Sequence, residues 1–223
     1  MNNFIKRTIS GVGFAAVMLA AFLTNKFIFG AVMLFALVVM MWEFLRMTCG
    51  KEYKYSQILS ILAGATLFTL VWLFKGFNFP GRLVILAFVP VFILMINSLY
   101  VKDKSRFNKF ANLYTAIIYI AVPWSVINFA VFGPEGEFNG MLLLSFFAII
   151  WGSDVGAYLF GITLGQKYGK KLFPSISPKK SWIGFWGGMF MAILISVVLY
   201  YTGIFPLTSG RHTFDLAHCI AIA

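Results

Sequence analysis

Residues 151–188 read WGSDVGAYLFGITLGQKYGKKLFPSISPKKSWIGFWGG. This stretch joins two apolar runs of bilayer length through a segment that carries five lysines. One acid, Asp154, stands inside the first run. A charge within a hydrocarbon-length segment is costly, so it marks function by default. The Gly-, Ser- and Lys-rich segment beside it has the composition of a phosphate cradle.

Outward from this stretch the same pattern repeats. Uncharged or nearly uncharged runs fall at 8–25, 27–42, 55–74, 83–101, 110–134, 138–166, 181–205 and 212–223. A spanning helix needs about 20 apolar residues. The runs therefore predict an all-α polytopic transmembrane bundle with about seven complete spans and a truncated eighth. The second run is expected to extend through Glu43 to Leu45. Only Lys26 separates the first two, which predicts a tight hairpin. The eighth run stops at Ala223 within LAHCIAIA, with no polar cap after it. A helix ending there inside a membrane leaves its last carbonyls unsatisfied. The expectation is therefore a single membrane domain, 1–223, that is incomplete at its C-terminus. Lys6 and Arg7 before an apolar run resemble the start of a signal peptide. No small-residue cleavage site stands out before Asn25, so the run reads as a retained helix.

Composition agrees. The 223 residues are 61% hydrophobic and 11% charged, against about 25% charged in soluble domains. The 26 Phe suit lipid-facing and interfacial surfaces. The net charge of +11 does not point to nucleic acid, because the basic residues sit in short loops between apolar runs. With the N-terminus in the cytoplasm, fourteen of the eighteen basic residues fall inside, and only Lys26, Lys75, Arg82 and Arg211 fall outside. That bias predicts an inner-membrane protein with a cytoplasmic N-terminus. Cys49 and Cys219, His212 and His218 have no zinc or disulfide spacing.

Two readings of Asp154 stand side by side. Gly152 and Gly156 flank it at GxxxG spacing, and Gly161, Gly165 and Gly169 continue every four residues. One reading is a close-packed helix whose acid pairs with a lysine. The other is a carboxylate that binds a cation or a base in a wet cavity. The loop 167–181 reads KYGKKLFPSISPKKS, with Lys167, Lys170, Lys171, Lys179 and Lys180 supplying charge and Ser175, Ser177 and Ser181 supplying hydroxyls. It reads either as a solvated topological loop or as an anion-binding one. Ser181, ahead of Trp182, is placed to cap the following helix. The free amides of that helix would then face any phosphate held by Lys179 and Lys180. GQKYGKK at 165–171 is not a Walker A loop. Arg46 is spaced for an i,i+3 pair with Glu43, and Lys102 to Lys109 reads as an anionic-lipid contact.

The strings SDVGAYLFG, GKK, FPSISPKKSW and GFWGG together resemble the CDP-diacylglycerol synthases, or phosphatidate cytidylyltransferases. The RT-x-x-G start at Arg7 to Gly11 and W-E-F at Trp42 to Phe44 also fit. The resemblance implies that phosphatidic acid attacks the α-phosphorus of CTP with Mg²⁺ assisting, giving CDP-diacylglycerol and pyrophosphate. It implies catalytic roles for Asp154, Lys179 and Lys180, with Asp154 on the metal. It places Ser153, Tyr158, Ser177, Ser181 and Trp182 around the substrates. Two departures are visible. Ile183 stands where the family carries an acid. The family's C-terminal signature, S-x-x-K-R, K-D, H-G-G and D-R-x-D, does not occur, so this chain alone is expected to be inactive. A homodimer stays open. So do three other functions: a related polyprenol or phytol kinase, a transporter of an anionic solute, and a non-catalytic scaffold.

Overall fold

The computed structural model describes residues 3–101, 107, 109–206, 208–209 and 212–223, with the side chains of 3–8, 10, 208–209 and 212–213 left aside. Lys102, Lys104, Arg106 and Arg211, and the side chains of Lys6, Arg7 and His212, lie outside what is described. Two compact units emerge, Met1–Gly140 and Met141–Ala223.

The first unit is a helical bundle. It holds α1 (Asn3–Leu23), α2 (Lys26–Cys49) and α3 (Lys54–Phe77), then a 3-10 turn (Gly81–Ala87) running into α4 (Phe88–Leu99). A last helix follows in three pieces: α5 (Ala111–Ala116), a π turn (Ile117–Ala121) and α6 (Val122–Val131). The tight hairpin predicted at Lys26 is present. Asn25 caps α2, its side-chain oxygen accepting from the Phe27 and Ile28 amides at 3.0 Å each. The Lys26 ammonium donates to the Gly76 carbonyl at 2.9 Å and lies 4.1 Å over the Phe77 ring. It thereby satisfies a carbonyl at the α3 C-terminus, where cations are favoured.

The core of this unit is a stripe on α2 at four-residue spacing: Phe29, Met33, Leu37, Met41, Leu45 and Cys49, all buried. Lipid competes for apolar side chains, so close packing and hydrogen bonds hold such helices together. Accordingly the Trp72 ring covers Gly30, where a Cβ would come within 2.6 Å of it. Ser60 donates to the Leu113 carbonyl at 2.7 Å and the Trp124 indole to that of Met33 at 2.9 Å.

The second unit holds α7 (Met141–Phe160), a π turn (Gly161–Gly165) and α8 (Gln166–Tyr168). A β-hairpin of β1 (Lys171–Phe173) and β2 (Ser177–Ser181) leads into α9 (Trp182–Tyr201). A two-residue pair, β3 (Thr208–Ser209) and β4 (His212–Thr213), precedes α10 (Leu216–Ile222). The Ser196 hydroxyl donates to the Cys219 carbonyl at 2.5 Å and ties α10 to α9.

Among the described residues, six helices are long and apolar enough to cross a membrane, and Gly11–Leu23 is a shorter apolar helix. The all-helical polytopic membrane bundle read from the runs is the observed class. The eighth run forms a short helix of seven residues, started by Asp215. Two details differ. Within 167–181, Lys171–Phe173 and Ser177–Ser181 form a β-hairpin rather than a loop. Glu43 and Arg46 make no ion pair among the described residues; Arg46 lies over the Trp42 ring, 5.3 Å from its centroid.

Candidate active site

The site is built on a seam of glycines between α7 and α9. A Cβ on Gly156 would meet the Met191 side chain and, at 2.9 Å, the Gly187 carbonyl. A Cβ on Gly184 would lie 3.0 Å from the Ala157 carbonyl and 3.2 Å from the Gly161 Cα. A Cβ on Gly188 would lie 3.1 Å from the Ser153 carbonyl. The two helices therefore meet backbone to backbone, as small residues at a membrane interface permit. The glycine spacing in the sequence predicted this narrow face on α7. The matching glycines on α9 complete it.

At the end of the seam the π turn shifts the register and presents Gly165 to Ser181. A Cβ on Gly165 would collide with the Ser181 hydroxyl. Single π turns inside helices often mark functional positions. Ser181 is buried, and its hydroxyl oxygen accepts the Gly184 amide at 3.2 Å as the predicted cap of α9. That oxygen is committed to the cap.

The hairpin is held down from both sides. The Trp182 amide donates to the Lys170 carbonyl at 3.0 Å. The Gln166 side-chain amide donates to the Lys179 carbonyl at 2.8 Å, while its oxygen accepts from the Lys171 ammonium at 2.9 Å. Gln166 thus orients the strand that carries Lys179 and Lys180, a role no sequence pattern announced. Both lysines are exposed, and among the described residues neither ammonium has a hydrogen bond or ion pair. The register shifts between Lys171 and Phe173, so the extra length of β2 lies among Pro178, Lys179 and Lys180 and both cations stand on an irregular stretch of strand. Ser177 pairs across the hairpin with Phe173 and is half-buried.

Asp154 lies two residues from both Gly152 and Gly156, about half a turn away from the seam. It is exposed, and among the described residues it has no hydrogen bond or ion pair. The pairing with a lysine that would make it purely structural is not seen there. Ser153 lies half-buried at the Gly188 level, and Tyr158 is 65% exposed. Trp182 is 46% exposed, with its ring edge against Phe185 at 5.8 Å.

The predicted residues thus divide into two levels. Lys179, Lys180, Ser177, Ser181 and Trp182 gather at the hairpin. Asp154, Ser153 and Tyr158 lie roughly 10–15 Å along the helix pair from Ser181, counted at 1.5 Å per residue. No group of three metal-ligating side chains occurs among the described residues. A single carboxylate still suits Mg²⁺, which takes one or two carboxylates together with substrate phosphates.

Residues 5–223 match the Cytidylyltransferase family. The chain belongs to that family. Among the curated proteins similar to this chain is a phosphatidate cytidylyltransferase of Staphylococcus aureus (strain COL). It is 34% identical over 94 residues, covering 42% of this chain and 35% of the relative. A protein of the same name from Rickettsia bellii (strain RML369-C) is 35% identical over 89 residues, covering 40% of this chain and 36% of the relative. The chain thus spans about a third of the length of the curated relatives it matches.

Sequence reading missed the hairpin, the π turn and Gln166. The hairpin had a local signal in extended Lys171–Phe173 ahead of Pro174, since a residue before proline avoids the helical region. The π turn had none beyond its bounding glycines.

Proposed function

We propose that the protein transfers CMP from CTP to phosphatidic acid, giving CDP-diacylglycerol and pyrophosphate. The observation that carries this reading is the family match over almost the whole chain, joined by local identity to proteins named phosphatidate cytidylyltransferase. A phosphate oxygen of phosphatidic acid attacks the α-phosphorus of CTP. The bond from that phosphorus to the bridging oxygen breaks, and pyrophosphate leaves with the electron pair.

In this reading the chain's own residues position and neutralise. Lys179 and Lys180 attract the anionic oxygens at the membrane edge, where such charge stabilisation is the main catalytic term. Ser177 and Trp182 flank those oxygens, and Ser181 and Gln166 hold the lysine strand in place. Asp154, with Ser153 and Tyr158 on the same helix, acts deeper in the span. Mg²⁺ would be held by Asp154 with phosphate oxygens of the substrate, and would supply neutralisation of the developing charge. With the N-terminus in the cytoplasm and α1 taken as a further crossing, the hairpin belongs on the cytoplasmic side of an inner membrane, beside soluble CTP.

The test is a transfer assay with CTP, phosphatidic acid and Mg²⁺ in detergent, on the protein as the cell makes it. CDP-diacylglycerol formed in step with pyrophosphate is expected. Phosphorylation of a lipid alcohol by ATP, with no use of CTP, overturns the reading in favour of a lipid kinase.

A further inference from the structure

A second cationic site stands in the first unit, where α2 ends and α3 begins. A cavity of about 240 Å³ opens there between Trp42, Arg46, Lys51, Lys54, Ile58 and Ile61. Three of its walls carry a positive charge and none carries an acid. Glu52 pairs with Lys109 at 3.1 Å, and Glu43 is exposed with no ion pair to Arg46 among the described residues.

The backbone adds to the field. Gly50 turns at φ +62° and Tyr53 at φ +53°, so the chain reverses within four residues. Tyr53 gives α3 no side-chain cap. The first amides of a 24-residue helix are then left to other acceptors, at its positive end. Gln57 braces the turn, donating to the Gly50 and Glu52 carbonyls at 3.2 and 2.6 Å. The geometry is therefore held in place rather than floppy.

The remaining walls are apolar and face outward. Trp42 is half exposed under Arg46, and Ile58 is exposed one turn below Lys54. Both helices are of membrane-crossing length, and the cavity opens at their ends, where the headgroup level of a bilayer would fall.

We propose that this cavity is a retention site for an anionic phospholipid. Its phosphate sits among Arg46, Lys51 and Lys54, and its first acyl segment lies along Trp42, Ile58 and Ile61. Free phosphate shares the charge but has no use for the apolar wall. The site belongs to the first unit and does not depend on the catalytic reading above.

The test is quenching of the Trp42 component of fluorescence, taken as wild type minus Trp42→Phe, by brominated lipid in detergent micelles. Brominated phosphatidylglycerol is expected to quench at on the order of tenfold lower concentration than brominated phosphatidylcholine, since each basic group near a membrane favours anionic lipid. Arg46→Gln/Lys51→Gln/Lys54→Gln is expected to abolish that preference, and Lys54→Gln alone to reduce it about fivefold. The single variant keeps the test open if the triple one fails to fold. Equal quenching by both lipids in the wild type overturns the proposal. So does a preference that survives Lys54→Gln undiminished, or displacement of the lipid by millimolar inorganic phosphate.

Discussion

Ser181 fills the space that a side chain on Gly165 would need, while its hydroxyl oxygen accepts the Gly184 amide. One residue thus closes the helix seam, starts α9 and ends the lysine-bearing strand. Gly165→Ala is expected to destabilise the protein by about 1–3 kcal/mol, the usual cost of overpacking. Gly165→Ala/Ser181→Gly should recover most of that loss, because glycine at an N-cap costs only a few tenths. Thermal unfolding of the four variants in one detergent gives the coupling. Independent, additive effects would refute the contact.

Ser181→Ala removes the cap but keeps the packing. A loss of about 1 kcal/mol is expected. If the alanine variant unfolds at the wild-type temperature, the hydroxyl is not capping α9.

Asp154→Asn is expected to lower turnover by a factor on the order of 10², typical of removing one charge-stabilising group, with little change in unfolding. The reason is its exposed carboxylate, which has no partner among the described residues. Parallel loss of folded protein and activity would return Asp154 to a structural role.

Lys180→Ala is expected to raise KM for the anionic substrate more than it lowers kcat, and Gln166→Ala to do the same more weakly by freeing the strand. Unchanged kinetics in both would remove the hairpin from the site.

Asp215 provides the pH dependence. The His218 backbone N–H, at 2.9 Å, is the main cause that holds its carboxyl below the ordinary value of 3.8, followed by the His218 ring. A lowered folded value means the cap contributes fully above the ordinary carboxylate value. That contribution is lost as pH falls through the lowered one. Amide exchange in Leu216–Ile222 should therefore rise relative to α9 only in strong acid, and Asp215→Ala should show the fast exchange already at neutral pH.

Span positions were legible because a bilayer imposes one length on every apolar run. The Ser181 cap and the narrow glycine face of α7 were legible too, because each depends on residue type at a fixed offset. The hairpin was not, because Lys171–Phe173 and Ser177–Ser181 are short, and Gln166 and the Trp182 amide anchor them from outside the strands. Nor was the depth difference between Asp154 and Lys180. Sequence proximity to one loop hides the length of helix between them. The Glu43–Arg46 pair had the right spacing but did not form, as the Trp42 ring offers the guanidinium a nearer face.

Gly165 abuts Ser181 at one end of the seam and Gly188 abuts Ser153 further along. Sliding either helix by a residue would drive a side chain into backbone, so the pair works as a caliper of fixed opening. The ammonium groups of Lys179 and Lys180 ride on its tip at a preset elevation. Bilayers of different thickness should move the whole caliper up or down, and the distance from those cations to the lipid phosphate plane should change by the same amount.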